Sequence, residues 1–302
     1  SAASDVYKRQ EFQHYYGNAT YDDAGTMEAA KFLLRMYVEK NDAAFRPALE
    51  KTIDFVLKSQ YPVGGWPQRY PLMYDHPFQG KKDYSSFITL NDDVIPDATE
   101  FLIQCYQAMG LQGVKEPIMR AMYLMISLQQ GEPYAGWADQ YTVDDLKPAH
   151  ARSYEPRSVN TGTTVRLVNL MMDYYKLTAD TRFLSGIPAA IRFLESMKLP
   201  ESDVKKWKSQ STNPEAILVP RFVDPDTGKP LYVHRKGSNV KNGTYYIDQN
   251  IENTIAHYNS ATFVNPGELR RRYEEVKKIP VSELAKNSPF LQDQLVPLPK
   301  YY

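Results

Sequence analysis

The chain has 302 residues, 42% of them hydrophobic, and equal numbers of acidic and basic side chains, so its formal charge is zero. This balance gives no reason to expect a nucleic acid or a membrane surface as a partner, and we expect neither. No apolar run of the sequence approaches the roughly 20 residues of a membrane-spanning helix. The composition predicts a globular chain that buries a sizeable core.

The first residues, SAASDVYKRQ, lack the apolar stretch of a signal peptide and fit no later pattern. We therefore expect residues 1–19 to be a truncated or foreign N-terminal segment, and residues 20–302 to form one folded domain. A native export signal could be missing from such a chain.

One helical hairpin recurs three times, at intervals of 69 to 71 residues. The first helix of each copy ends near an equivalent tyrosine: Tyr37, Tyr106 and Tyr175. The spacing of apolar residues predicts these helices over residues 26–37, 93–109 and 163–177. Each second helix has a proline near its start, where the missing N–H costs least: Pro47, Pro117 and Pro188.

A tryptophan follows each second helix, and the three are Trp66, Trp137 and Trp207. Because Trp66 and Trp137 recur with the repeat, we expect them to pack in the interior rather than to contact a ligand. Three such hairpins predict a mainly α fold, an α/α toroid (barrel) whose loops converge at one end on a central cleft. Cys105 lies on a predicted helix and is interpreted as a small buried residue.

The C-terminal third has a different pattern. Two strand-like runs, 216–223 and 231–235, are separated by the turn signal Asp-Pro-Asp-Thr-Gly and predict a β-hairpin. A charged helix is expected over residues 268–278. The rest of the tail, rich in proline and asparagine, predicts an irregular segment around the barrel.

Acidic residues begin the first two copies of the hairpin, Asp22-Asp23 in one and Asn91-Asp92-Asp93 in the next. In a toroid they lie at the same end of neighbouring inner helices. Oxygen ligands from two adjacent helix starts suit a hard cation such as Ca²⁺. The alternative is plain N-capping. Two carboxylates at each helix start exceed what a cap requires, which favours a metal.

Cationic residues occupy predicted loops and strands, notably Arg152, Arg221, Lys229 and Arg235. Arg152 shortly precedes the third helix, so we expect it at the same rim as Asp22 and Asp92. Guanidinium groups match carboxylates bidentately and would suit a substrate that carries carboxylates. The alternative is a solvated charged edge. Four tyrosines of predicted loops are candidates for lining the cleft: Tyr70, Tyr74, Tyr141 and Tyr154.

Four motifs taken together resemble the family 10 pectate lyases, over roughly residues 20–237. They are Gly64-Gly65-Trp66-Pro67-Gln68, Ile88-Thr89-Leu90-Asn91-Asp92-Asp93, Ala151-Arg152-Ser153-Tyr154-Glu155 and Pro220-Arg221-Phe222 with Gly228-Lys229-Pro230 and His234-Arg235-Lys236-Gly237. That family is an α/α toroid, in agreement with the repeats. The resemblance implies Ca²⁺-assisted β-elimination of polygalacturonate, with 4,5-unsaturated oligogalacturonides as products.

The resemblance also implies roles for individual residues. Asp22 and Asp92 resemble the acidic residues of the metal and catalytic cleft, and Arg152 resembles the arginine proposed as the base. The partners of substrate carboxylates are expected to be Arg221, Arg235 and Lys229. A neutral arginine is scarce below its pKa of about 12, so this base implies an alkaline optimum. The substrate class implies an exported enzyme, and we expect a monomer.

Two other functions fit the same residues. A glycoside hydrolase on an α/α toroid would use Asp22 and Asp92 as acid and base or nucleophile, without Ca²⁺. A non-catalytic oligouronide-binding protein would need only the cations and aromatic residues. Chelation separates the hydrolase from the lyase, and binding without turnover would identify the binding protein.

Overall fold

The structure is a computed structural model, and it describes residues 18–72, 84–207, 209–237, 244–255, 259–292 and 295–298. Segment 1–17, most of the predicted N-terminal segment, lies outside the described residues, so the boundary near residue 20 stays a prediction. Of the helices within the described ranges, none is long and apolar enough to cross a membrane.

Three helical hairpins make up most of the described chain and confirm the repeat. The α-helices are α1 (Gly25–Val38), α2 (Arg46–Ser59), α3 (Val94–Met109), α4 (Lys115–Ser127), α5 (Thr161–Thr178), α6 (Arg182–Ser185), α7 (Ile187–Ser196), α8 (Glu201–Lys206), α9 (Pro266–Lys277) and α10 (Val281–Leu284). The first helices of the three hairpins, α1, α3 and α5, match their predicted bounds to within two residues. The prolines of α2 and α7 lie in their first turn, as expected.

In the first two hairpins a tryptophan anchors the loop to the second helix of the same hairpin. Trp66 Nε1 donates to the carbonyl of Val56 at 2.8 Å, and Trp137 Nε1 donates to the carbonyl of Met125 at 2.7 Å. Both side chains are buried. The packing role predicted for these two residues is therefore confirmed.

Equivalent glutamines join each hairpin to the next. Gln60 Nε2 donates to the carbonyl of Pro117 at 2.9 Å, and Gln129 Nε2 donates to the carbonyl of Gly186 at 2.9 Å. Because both contacts link the end of one second helix to the start of the following one, successive hairpins stand side by side in the same orientation.

The core is built from the first and second helices of all three hairpins. Helix α3 is the most buried of them, α1 packs against it, and α9 packs against α5 and α7. Lys31 of α1 is buried and bridges to Asp97 and Glu100 of α3 at 3.1 and 2.6 Å. Cys105 is buried in α3, as predicted. The arrangement is an α/α toroid, which confirms the predicted fold class.

Short strands cover one end of the hairpins. They are β1 (Ala19–Thr20), β2 (Arg69–Tyr70), β3 (Ile88–Thr89), β4 (Gln140–Tyr141), β5 (Val159–Asn160), β6 (Ile217–Pro220), β7 (Phe222–Val223), β8 (Pro230–Lys236), β9 (Thr244–Asp248) and β10 (Ala261–Val264). Strands β1 and β3 pair with β2 and β4 and fix the chain just before α1 and α3. A four-stranded sheet has the order β5-β7-β8-β9, and β6 pairs with β10.

The predicted β-hairpin is confirmed, but the prediction of one strand over residues 216–223 is wrong. That run is divided at Arg221 into β6 and β7, which belong to different sheets. The Arg221 N–H donates to the carbonyl of Ser260, and its carbonyl accepts from the N–H of Thr161. The backbone of Arg221 therefore connects the sheet of β10 to the start of α5.

The C-terminal segment agrees with its prediction. Helix α9 occupies the place of the charged helix expected over residues 268–278, and irregular chain follows α10. Part of this chain lies along α3, where the N–H of Val296 donates to the carbonyl of Gln107 at 2.9 Å.

Candidate active site

The first two inner helices begin with a strained backbone. Asp22–Ala24 and Asn91–Asp93 are 3₁₀ turns in which the last two residues have positive φ. The φ values are 54° and 56° at Asp23 and Ala24, and 50° and 55° at Asp92 and Asp93. Such residues, when they are not glycine, persist only where surrounding structure holds them, and they cluster at functional sites.

These openings are not N-caps, so the capping alternative is wrong for both of them. Neither α1 nor α3 has a side-chain hydrogen bond at its cap. The third copy differs, because the Asn160 side chain accepts from the N–H groups of Gly162 and Thr163 at 2.8 and 3.2 Å. The carboxylates of the first two copies remain available for other partners.

Carboxylates from the two openings converge. Oxygens of Asp22, Asp23 and Asp92 lie within 4.8 Å of one another. Asp22 Oδ1 is buried without a hydrogen-bond partner, which is costly unless another group satisfies it. Burial, and then the adjacent Asp22 carboxyl, raise the pKa of Asp92 to about 8. These all-oxygen donors fit a hard cation, and the two predicted ligands, Asp22 and Asp92, are brought together.

Arg152 lies against this group of carboxylates. Its Nη2 is 2.8 Å from Asp22 Oδ2, and its Nη1 is 3.9 Å from Asp92 Oδ2. The Arg152 side chain is 9% exposed, so both ion pairs are shielded from solvent. The predicted proximity of Arg152 to Asp22 and Asp92 is thus present in the structure.

Two neighbours of Arg152 were not assigned from the sequence. Glu155 Oε1 is 3.0 Å from Arg152 Nη1, and Tyr84 presents its ring 5.5 Å from the guanidinium carbon. A signal existed for Glu155, since it stands three residues after Arg152 in the quoted motif. The sequence carries no comparable signal for Tyr84.

The protein groups around Arg152 favour its charged form. Burial by itself lowers the pKa of Arg152, but the charges of Glu155, Tyr84 and Asp22 outweigh it and hold the pKa above its usual range. This direction is opposite to the one that a base requires. Neutral guanidine is correspondingly scarce in this arrangement.

The three predicted substrate-binding cations occupy different places in the fold. Arg221 is half-buried next to the start of α5. Arg235 of β8 pairs with Tyr245 of β9, whose ring lies 5.4 Å from that of Tyr154, two residues from Arg152. Lys229 is exposed in the turn between β7 and β8.

The turn that carries Lys229 is held by residues that lie outside the β7–β8 hairpin. Arg157 donates to both carboxylate oxygens of Asp226 in this turn, at 2.7 and 3.0 Å. Gly228 has a φ of +69°, and a Cβ there would lie 2.2 Å from the Tyr134 ring.

The tyrosines predicted to line the cleft differ in burial. Tyr141 is fully buried and donates to the carbonyl of Leu128 at 2.9 Å, so its prediction as a cleft residue is wrong. Tyr154 is also buried, at 7% exposure. Tyr70 is half-buried with its edge against Phe55. Tyr74 lies outside the described residues.

Comparison with known proteins identifies the family. The profile of the family described as pectic acid lyase matches residues 2–254. The chain belongs to this family. The protein is therefore a polysaccharide lyase of the pectate lyase class.

Solved structures of similar fold agree with this assignment. The lyase superimposes on the family 10 polysaccharide lyase from Cellvibrio cellulosa with a TM-score of 0.64 and 18% identity, over 87% of this chain and 82% of that one. A mutant of that enzyme, in complex with trigalacturonic acid, gives a TM-score of 0.63 with the same identity and coverage. At this identity the likeness establishes the shared α/α fold. No curated protein sequence matches the lyase.

Proposed function

We propose that the lyase cleaves polygalacturonate by Ca²⁺-assisted β-elimination and releases 4,5-unsaturated oligogalacturonides. The observation that carries this proposal is the convergence of Arg152 with the Asp22 and Asp92 carboxylates at the ends of two adjacent inner helices. The trigalacturonic acid bound by the mutant Cellvibrio enzyme supports the substrate class.

Asp22 and Asp92 are the proposed ligands of the Ca²⁺ ion, and Asp23 is close enough to join them. The unpartnered Asp22 Oδ1 and the absence of capping bonds support this role. When bound, Ca²⁺ would stabilise the negative charge that develops on the uronate carboxylate as its α-proton leaves.

Arg152 is the proposed base. Its neutral guanidine would take the C5 proton, the C–H electron pair would form the C4–C5 double bond, and the bond between C4 and the glycosidic oxygen would break. That oxygen leaves and gains a proton from water. Since the surrounding carboxylates keep Arg152 charged, the active fraction grows with pH, and we expect an alkaline optimum.

Arg221, Arg235 and Lys229 are the proposed partners of substrate carboxylates. The two arginines can bind a carboxylate bidentately, whereas Lys229 offers a point charge. Arg235 is linked to the Arg152 loop through Tyr245 and Tyr154. We expect the Arg235→Ala substitution to raise KM more than Lys229→Ala does.

The deciding experiment follows the ultraviolet absorbance of the C4–C5 double bond in polygalacturonate at alkaline pH, with Ca²⁺ and then with chelator. A rise that chelation abolishes would support the proposal. New reducing ends without absorbance would instead indicate hydrolysis, and binding without either signal would indicate an oligouronide-binding protein.

A variant pair tests the base. Arg152→Ala should lower turnover by about 10²–10⁴-fold, the range for a general base, while substrate binding persists. Arg192→Ala removes an exposed arginine that pairs with Glu132 and should leave turnover unchanged. An optimum below neutrality, with activity lost in mild alkali, would contradict Arg152 as base.

We also propose that the native enzyme is exported and acts as a monomer. Export is proposed because the polymer substrate lies outside the cell. A single peak at the monomer mass in size-exclusion chromatography with light scattering would support the second point.

A further inference from the structure

Glu155 makes more contacts with Arg152 than any role assigned so far requires. Its side chain is 4% exposed. Oε1 lies 3.0 Å from Arg152 Nη1, and Oε2 accepts from the Arg152 backbone N–H at 3.0 Å. One carboxylate thus holds both ends of the same arginine. This fixes the backbone of the loop and the direction of the guanidinium together.

Asn91 extends this arrangement to Asp92. Asn91 Nδ2 is 2.9 Å from Asp92 Oδ2 and 3.4 Å from Glu155 Oε1. In the first copy of the repeat the equivalent position, 69 residues earlier, is Asp22. A carboxylate at position 91 would face both Asp92 and Glu155 and repel them, whereas the amide can donate to both. The change from Asp to Asn between the copies therefore suits a link between Glu155 and Asp92.

We propose that Glu155 is a positioning residue of the elimination reaction. It holds the Arg152 guanidinium in place beside Asp22 and Asp92 and, through Asn91, helps to hold Asp92. This inference rests on the proposed function, because positioning matters only if Arg152 takes part in turnover. Glu155 itself is buried beneath Arg152 and has no direct contact with substrate in the proposal.

The physical reason is the fate of Arg152 Nη1 without Glu155. Its remaining carboxylate neighbour would be Asp92 Oδ2 at 3.9 Å. The guanidinium would turn toward the carboxylates of the helix openings to replace the lost partner. A displacement of this kind misplaces the reacting group without removing the residues that bind substrate, so it lowers kcat and leaves KM nearly constant.

The test is Glu155→Gln, which keeps the size of the side chain and one acceptor oxygen but loses the charge and one bond to Arg152. We expect kcat to fall by about 10–100-fold, as for residues that orient a reacting group, with KM changed by less than about threefold. The matched control is Glu132→Gln, which removes an exposed carboxylate paired with Arg192. Its kcat and KM should equal those of the wild-type lyase.

A second variant keeps the proposal testable if Glu155→Gln does not fold. Asn91→Ala retains Glu155 and removes only the link to Asp92, so a smaller loss of kcat at constant KM is expected. Normal kcat in an active, folded Glu155→Gln enzyme, or a rise in KM that accounts for the whole loss, would overturn the positioning role and leave the proposed function intact. A wild-type protein without lyase activity would overturn the proposed function instead.

Discussion

The openings of the first two inner helices differ from that of the third, although all three belong to the same repeat. The third is an ordinary N-cap, in which Asn160 bonds two helix N–H groups and also donates to Asp139 at 2.7 Å. The first two have no cap and place two consecutive non-glycine residues in the left-handed region. The difference teaches that the repeat gives up local stability where its carboxylates converge beside Arg152.

The free-energy cost of an uncapped opening can be estimated from its backbone conformation and its missing cap. A left-handed non-glycine residue costs roughly 1–2 kcal/mol, and a missing cap costs about 1 kcal/mol. Backbone bonds from outside the helix hold the strained openings, since Tyr21 N–H donates to the carbonyl of Gln68, and Asn91 N–H to that of Asp139. The strain is therefore maintained by tertiary structure.

Among changes at the helix openings, the largest effect is expected from neutralising one carboxylate of the first or second opening. Asp22→Asn and Asp92→Asn should each lower turnover by about 10²–10³-fold, because each removes a proposed Ca²⁺ ligand charge beside Arg152. The assay is the absorbance of unsaturated product at saturating substrate. Asp54→Asn, in an exposed pair with Lys58, is the matched control and should be fully active. Activity within about twofold of wild type in Asp92→Asn would contradict the proposed site.

The next effect concerns the affinity for Ca²⁺ as pH changes. The pKa of Asp92 is raised to about 8, so this carboxyl holds a proton at neutral pH and loses it in mild alkali. Since a cation binds the ionised form, its affinity should rise by about tenfold between pH 7 and pH 9. Calorimetric titration of the lyase with Ca²⁺ measures this, and Asp92→Asn should flatten the dependence. A Ca²⁺ affinity that falls between pH 7 and pH 9 would contradict Asp92 as a ligand.

The sequence predicts the helices of the repeat better than it predicts the way in which they begin. The apolar period and the tyrosine spacing predict α1, α3 and α5 because those features express packing of helix on helix. The sequence shows the acidic pairs, but Asp is a common cap residue, and nothing in its side chain reveals a positive φ. The sequence also does not show that the carboxylates of the two openings meet and lie against Arg152, which is distant in sequence.

The same limit applies to Glu155 and Arg221. Glu155 belongs to the motif that contains Arg152, but the loop geometry that brings its two oxygens to one arginine depends on tertiary contacts. Residues 216–223 form one apolar run, so period alone cannot show that the chain changes sheets at Arg221. For Arg221, the sequence does not show the long-range backbone contacts with Ser260 and Thr161.

A smaller effect is expected from removing the cap of the third opening. Asn160→Ala should lower the free energy of unfolding by about 1 kcal/mol, because two helix N–H groups and Asp139 lose a partner. Urea unfolding followed by circular dichroism gives the value. The control is Ser127→Ala at the exposed end of α4, which should change it by less than about 0.5 kcal/mol. An unchanged midpoint for Asn160→Ala would mean that the cap is not what distinguishes the third copy.

The smallest effect tests whether the first opening is strained in its backbone. Ala24 has a φ of 56° and offers no functional group, so Ala24→Gly relieves the left-handed conformation without touching the carboxylates. Glycine also increases the entropy of the unfolded chain, which destabilises the folded protein by about 0.4–1 kcal/mol. The net result should be a rise in the free energy of unfolding of about 0.5–1 kcal/mol. Ala29→Gly, on the exposed face of α1, should lower the free energy of unfolding by about as much, because Ala29 has a helical backbone with no strain to relieve. Opposite signs for two identical substitutions five residues apart would locate the strain in the opening itself, whereas a loss at both positions would show that the first copy holds its carboxylates without strain.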